Sequence, residues 1–153
     1  MLETPHVVVG AAIAVKVGNP ALAIPLAFAS HFVLDKIPHW NPHLFTETQK
    51  LGHPAKKSTL VAFADVGLAL IIGLWVTAKF SGDPLRMLTV LACCLASVLP
   101  DLVKWPYYYL KNRWKPLTKW VLFERNMQVN ANFVPGVLTQ FLTIATGLWW
   151  ILS

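Results

Sequence analysis

The stretch from 58 to 80, STLVAFADVGLALIIGLWVTAKF, decides the structural class of this protein. Within it only Asp65 and Lys79 carry an ionisable side chain. An α-helix needs about 20 consecutive apolar residues to cross the hydrocarbon core of a bilayer. The stretch therefore predicts a membrane-spanning helix with one carboxylate roughly two turns from its start.

Four further apolar segments flank this span. Asn19 and Asp83 are each followed by proline, which is the pattern of a helix N-cap and a first helical residue. Thr4 is predicted to cap the first segment, and Pro25 is predicted to kink the second. We expect a polytopic, all-α membrane helix bundle of four to five hydrophobic helices, forming a single integral membrane domain. The first segment is short and either crosses the membrane or re-enters. The predicted helices cover residues 4–17, 20–37, 58–80, 84–99 and 132–152 of the domain 1–153.

The composition supports a membrane protein and excludes several other classes. Of the 153 residues, 56% are hydrophobic and 13% are charged, against about 45–50% and about 25% in ordinary globular proteins. Two cysteines are too few for a disulfide scaffold. Cys93 and Cys94 lie in an apolar run and are predicted to be small buried hydrophobic residues. The N-terminus has Glu3 and no basic region, so we expect no signal peptide.

The net charge of +6 has two interpretations. In a soluble protein it would suggest nucleic-acid binding, whereas in a membrane protein it marks cytoplasmic loops. The apolar composition favours the second, which predicts a multi-pass protein of the inner (cytoplasmic) membrane with a cytoplasmic N-terminus. If all five segments cross, ten of the thirteen basic residues lie on that side: Lys36, Lys50, Lys56, Lys57, Lys104, Lys111, Arg113, Lys115, Lys119 and Arg125.

Two polar stretches connect the predicted spans. Residues 38–57 are predicted to form a loop, with His43 and His53 solvated. Residues 101–130 combine aromatic and basic side chains, which is typical of a membrane interface that contacts anionic lipid headgroups. RNA binding by stacking and charge is the alternative for that stretch. Glu124 is expected to face water there. The expected partners are membrane lipids and no nucleic acid, and an oligomer is left open.

A few polar residues within the apolar segments form the candidate site. In an alternating topology they all fall in the same half of the membrane, on the basic side. His31 and Asp35 are four residues apart and share a helix face, a spacing that suits two ligands of one metal ion. Asp35 and Asp101 follow predicted helix C-termini, where a carboxylate needs a nearby cation, either a metal ion or a Lys or Arg. The residues are His6, His31, Asp35, His39, Asp65, Asp101 and Gln140.

Structural roles are the alternative for each residue taken singly. Asp35 could pair with Lys36 or Lys104 at the interface. Asp65 could hydrogen-bond His31 across a helix–helix contact.

Three short motifs resemble those of the YdjM-like family of membrane-bound metal-dependent hydrolases. They are SHFVLDKIPHW at 30–40, TPH at 4–6 and LPD at 99–101. The resemblance implies metal ligation at His6, His31 and Asp35, with Asp101 as a further ligand. In the family pattern P-D precedes S-H-x-x-x-D, whereas here it follows, and the family's H-R-x-x-T-H-S element is absent.

These observations lead to one principal hypothesis and two alternatives. The principal hypothesis is a metal-dependent hydrolase with its site at the cytoplasmic interface, acting on a lipid or phosphoester. A divalent metal is the expected cofactor, zinc first, with manganese or iron as alternatives. The alternatives are a non-catalytic membrane scaffold or partner protein and a metal or proton carrier. In the principal hypothesis the metal ligands are His6, His31, Asp35 and His39, and the catalytic residues are Asp65 and Asp101.

Overall fold

The computed structural model describes all 153 residues and contains seven α-helices and no β-sheet. The all-α prediction is therefore confirmed. The helices are α1 (Glu3–Val17), α2 (Pro20–Leu34), α3 (Leu44–Leu51), α4 (Lys56–Ala78), α5 (Pro84–Tyr109), α6 (Lys115–Met127) and α7 (Phe133–Leu152).

Three helices are long and apolar enough to cross a membrane. They are α4, α5 and α7, with 23, 26 and 20 residues. Helices α1 and α2 have 15 residues each, or about 22 Å at 1.5 Å per residue, which is less than the hydrocarbon core of about 30 Å. Large hydrophobic side chains such as Leu70, Ile71, Phe141 and Trp149 are exposed around the bundle. Apolar surface of that extent marks contact with a membrane or a partner.

The structure corrects the predicted end of the fourth segment. Helix α5 continues through Pro100 and Pro106 to Tyr109 instead of ending at residue 99. Proline removes one backbone donor, but its fixed φ fits a helix, and neighbouring helices allow such prolines within membrane spans. Asp101 therefore lies inside α5 and not after its C-terminus.

The two polar stretches also contain helices. The predicted loop 38–57 includes α3, and the predicted interfacial segment 101–130 is divided between the end of α5 and α6. Helix α6 buries Leu117, Val121 and Glu124, whose spacing places them on one face of a helix.

The predicted caps are confirmed in two places and wrong in one. Asn19 accepts a hydrogen bond from the Ala21 amide (2.9 Å), and Asp83 accepts one from the Arg86 amide (3.0 Å). Helix α1 begins at Glu3, before Thr4, and has no side-chain cap from its own N-cap residue.

Helix α1 is the centre of the bundle and packs against α2, α4, α5 and α7. Its residues are small, and Val8, Ala11 and Ala12 are fully buried. A Cβ at Gly10 would lie 2.7 Å from the Cys93 carbonyl oxygen, so only glycine permits this approach of α1 to α5. Small residues at helix contacts allow such close packing, and the core that results includes Cys93 and Cys94, as predicted.

The chain between α2 and α3 is fastened to the linker between α6 and α7. His39 donates its amide to the Val129 carbonyl (3.1 Å) and accepts from the Ala131 amide (2.8 Å), while the Val129 amide donates to the Asp35 carbonyl (3.0 Å). These bonds hold Asp35 and His39 close to His6 of α1, whose Nε2 lies 3.5 Å from Asp35 Oδ1.

Candidate metal centre

The structure brings together five of the residues that the sequence singles out. His6 comes from α1, His31 from α2, Asp35 from the C-cap of α2, His39 from the following loop and Asp101 from α5. The three imidazoles are fully buried, and Asp35 is 2% exposed. Four separate segments therefore place ionisable groups in one enclosed space.

His6, His31 and Asp101 form the tightest group. Each offers one ligand atom, and these atoms all lie within 4.8 Å of one another. The imidazole rings of His6 and His31 are stacked with centroids 4.1 Å apart. Donor atoms on one zinc ion are at most about 4 Å apart, given bonds of about 2.0–2.2 Å. If the distances between the three donor atoms shortened by about 1 Å, one ion could bind all three.

The hydrogen bonding of His31 creates an unsatisfied lone pair. Its Nδ1 donates to the Ser97 carbonyl oxygen (2.8 Å), so the neutral ring carries its lone pair on Nε2. That atom faces Asp35 Oδ2 at 3.5 Å, Asp101 Oδ1 at 4.0 Å and Glu124 Oε1 at 4.0 Å. A lone pair among three carboxylates needs a cation or a proton between them.

His6 has no hydrogen-bond partner at either ring nitrogen, and its Nε2 lies 3.5 Å from Asp35 Oδ1. Buried polar atoms are almost always partnered in native proteins. The two unpartnered Nε2 atoms of His6 and His31, with carboxylates around them, match the mixed donor set of a divalent metal ion.

His39 lies at the edge of this group. Its Nδ1 donates to the Ile37 carbonyl (2.7 Å), and its Nε2 accepts from the Asn41 amide at 3.1 Å. The same Nε2 is 3.8 Å from Asp35 Oδ1. Burial lowers the pKa of the His39 imidazole.

Asp35 has partners on both oxygens. Its Oδ1 contacts the Met1 amine, and its Oδ2 accepts from Gln128 Nε2 at 3.2 Å. As the sequence predicts, this carboxylate lies at the C-terminus of a helix. The group beside it is the Met1 amine and not the metal ion, Lys or Arg that the sequence predicts.

Lys104 and Glu124 also belong to the cluster, although the sequence suggests Lys104 only as a partner of Asp35 and does not suggest Glu124 as a site residue. The Lys104 ammonium bridges Asp101 Oδ1 and Glu124 Oε2. The expectation that Glu124 faces water is wrong, because α6 turns its apolar face inward and leaves this side chain 1% exposed. Burial raises the pKa of Glu124 to about 7, against the opposing effect of Lys104. Two sequence spacings point to them, because residues three apart share a helix face. Lys104 follows Asp101 by three residues, and Glu124 follows Val121 by three.

Asp65 lies outside the histidine cluster and caps α1 from the neighbouring helix α4. Its Oδ2 accepts from the Glu3 amide (2.5 Å), and its Oδ1 accepts from the Thr4 amide (3.4 Å) and the Thr4 hydroxyl (2.6 Å). The first amides of a helix have no partner within it, and a carboxylate there is stabilised by the helix dipole. These bonds assign Asp65 a structural role.

Gln140 also joins separate segments, through the Leu2 amide (2.8 Å) and the Trp40 carbonyl (2.8 Å). His43 and His53 are exposed, as predicted.

Replacing Asp65 with alanine should destabilise the bundle without changing its metal stoichiometry. The variant loses charge-assisted hydrogen bonds to part-buried donors, which contribute about 1.5–3 kcal/mol. Thermal unfolding in detergent, followed by tryptophan fluorescence, measures this. Asp83→Ala, which removes an exposed cap, is the matched control and should cost about 1 kcal/mol. Loss of metal from folded Asp65→Ala protein would contradict the capping role.

A pocket of about 160 Å³, lined by polar and hydrophobic residues in similar numbers and referred to as the polar pocket, adjoins the cluster. Asp101 and Lys104 belong to both the cluster and the pocket, whereas His6 and His31 do not line the pocket. Arg125 lies at the pocket edge, where its guanidinium stacks 4.2 Å from the Phe45 ring. It is exposed and makes no ion pair. Gln128 and Asn130 also line the pocket.

No family model, curated protein or solved structure matches this chain. The similarity to the YdjM-like hydrolases therefore remains a prediction from three short motifs.

Proposed function

We propose that this protein is a membrane-embedded, divalent-metal-dependent hydrolase that acts on a lipid phosphoester. One observation carries the proposal: the buried Nε2 atoms of His6 and His31 have no protein partner, and carboxylates surround them. Lys104 and the Met1 amine neutralise part of the carboxylate charge, but the two imidazole nitrogens stay without a hydrogen-bond partner in a low dielectric, which is costly. A metal ion removes this cost.

His6, His31 and Asp101 are the proposed ligands, with Asp35 or Glu124 completing the set. The Ser97 carbonyl orients His31 for this task, since a metal-bound histidine almost always donates its other N–H to an acceptor. Two imidazoles with carboxylates fit Zn²⁺, and they also fit Mn²⁺ or Fe²⁺. His39, with Nε2 engaged by Asn41, is assigned to the outer shell instead of the ligand set proposed from sequence.

When bound, such an ion provides a nucleophile at neutral pH and stabilises negative charge that develops on the substrate. Hydrolysis forms a bond between the water oxygen and phosphorus and breaks the bond between phosphorus and the alcohol oxygen, which leaves with a proton from that water. Lys104 holds Asp101 and Glu124 in place through its two ion pairs. The ammonium also reduces the net negative charge that an anionic substrate would meet.

Arg125 is the pocket residue that supports an anionic substrate, against the carboxylates of Glu3, Asp65 and Asp101 that also line the pocket. Arg125 has no carboxylate partner and is free to bind a phosphate group, for which its planar donors are suited. The neighbouring ends of α4 and α5 carry an apolar outer surface, so a lipid headgroup reaches this pocket directly from the bilayer. In the proposed topology four to five segments cross the inner membrane, and the pocket opens on the basic, cytoplasmic side.

The test is hydrolysis of phosphatidylglycerol in mixed micelles by zinc-loaded protein, with products identified by mass spectrometry. We expect product from the wild type and a loss of roughly 100-fold or more in His31→Ala, since the ligand is removed. His53→Ala changes an exposed histidine and should retain full activity. Intact zinc binding without any product would overturn the hydrolase proposal.

A non-catalytic scaffold is the second candidate, and the roles of Asp65 and Gln140 favour it. Both residues join separate segments of the bundle through backbone groups. This candidate predicts that His31→Ala lowers stability while the protein contains no metal at all.

A further inference from the structure

A long apolar groove runs along the outside of the bundle between α4 and α5. Its volume is about 340 Å³. Helix α4 contributes Val66, Leu70 and Leu74, which are spaced by four residues and share one helix face. Apart from Gly73, the only lining residue that is not hydrophobic is Glu3.

The groove has a closed floor and an open side. Val7 of α1 lies behind it, and a Cβ at Gly73 would come within 3.2 Å of Val7 Cγ1, so α1 and α4 are in contact there. Leu70, Leu74 and Leu95 are 60%, 58% and 56% exposed along the rim. Since α4 and α5 have the length of membrane spans, this open side faces the hydrocarbon region.

The length of the groove matches a hydrocarbon chain in one leaflet. From Leu91 to Leu102 on α5 the groove is about 16 Å long at 1.5 Å per residue, close to half of a hydrocarbon core of about 30 Å. The groove is thus about one leaflet deep.

One end of the groove meets the polar pocket. Glu3 and Val66 line both spaces, and Asp101, which lines the pocket, directly precedes the groove residue Leu102. An amphiphile with its chain in the groove therefore has its polar end beside Asp101 and within the pocket that Arg125 borders.

We infer that the groove binds one acyl chain of a membrane phospholipid, which enters sideways from the bilayer and places its headgroup in the polar pocket. The inference rests on the proposed function for the fate of the headgroup, but chain binding itself requires no metal and no turnover. It identifies the substrate class as an intact bilayer lipid and assigns α4 and α5 as the entrance.

Lipid retention by the metal-free protein tests this inference separately from hydrolysis. The protein is reconstituted with phosphatidylglycerol, treated with a chelator and extracted into mild detergent. Native mass spectrometry then counts the lipids that remain bound. We expect about one lipid per chain in the wild type and about tenfold lower occupancy in Leu70→Trp, because the indole fills the groove.

Ile71→Trp is the matched control, because Ile71 is the next residue, is 67% exposed and does not line the groove. It should retain lipid like the wild type. Leu95→Trp in the groove and Leu88→Trp outside it form a second pair on α5, in case one variant fails to fold. Equal retention within both pairs would overturn the inference. Glycerophosphate, which has the headgroup but no chain, should not displace the lipid, and displacement would locate the affinity in the pocket alone.

Discussion

His31→Ala should lose its zinc almost completely, with an affinity at least about 100-fold below that of the wild type. The change removes a ligand, whereas removing even an outer-shell partner typically costs about 10–100-fold. Zinc content after dialysis, measured by atomic emission on protein that elutes as a folded species, gives the result. The expected wild-type value is one zinc ion per chain.

His53→Ala controls for loss of a histidine, because His53 is exposed and its Nδ1 bonds only the Pro54 carbonyl. It should bind zinc normally. The metal centre is refuted if wild type and His31→Ala contain equally little zinc after incubation with the metal. His6→Ala provides an independent repeat from α1, so that a folding defect confined to α2 does not decide the outcome.

Lys104→Met should destabilise the metal-free protein by about 3–5 kcal/mol, the typical cost of breaking a buried ion pair. Lys104 is 8% exposed, and its ammonium forms ion pairs with Asp101 and Glu124. The substitution removes both ion pairs. For a chain of this length the change corresponds to a fall in Tm of about 6–20 °C. Thermal unfolding in detergent with a chelator present measures it.

Two comparisons make this result specific to the cluster. Lys119→Met removes an exposed lysine from α6 and should change Tm little. Added zinc should recover part of the stability of Lys104→Met, because an ion near Asp101 replaces the missing positive charge. If Lys104→Met unfolds at the wild-type temperature, the ammonium does not hold the carboxylates together.

Much of the candidate site is accessible to sequence reasoning because helix depth is a local property. His6 near the start of α1 and His31 near the end of α2 fall at the same end of an alternating bundle, and the structure brings them together with Asp35 and His39. The i, i+4 spacing predicts that His31 and Asp35 share a face, and their side chains lie 3.5 Å apart. The position of a residue along its helix does not specify which neighbouring helix it faces. Asp65 therefore lies at the expected depth in the membrane but contacts the start of α1.

The sequence by itself determines that this protein is all-helical and has helices of membrane-spanning length, because run length and apolar composition are read along one segment. It also determines Asn19 and Asp83 as caps, since a cap bonds within two or three residues of its own position.

Only the tertiary structure decides which polar groups meet. Glu124 faces inward because α6 packs its apolar face against the bundle, and Lys104 reaches it because α5 continues through Pro100. Asp65 becomes a cap instead of a member of the histidine cluster because of where α4 lies beside α1. These outcomes depend on contacts between residues distant in the chain, and such contacts are set by the packing of whole helices.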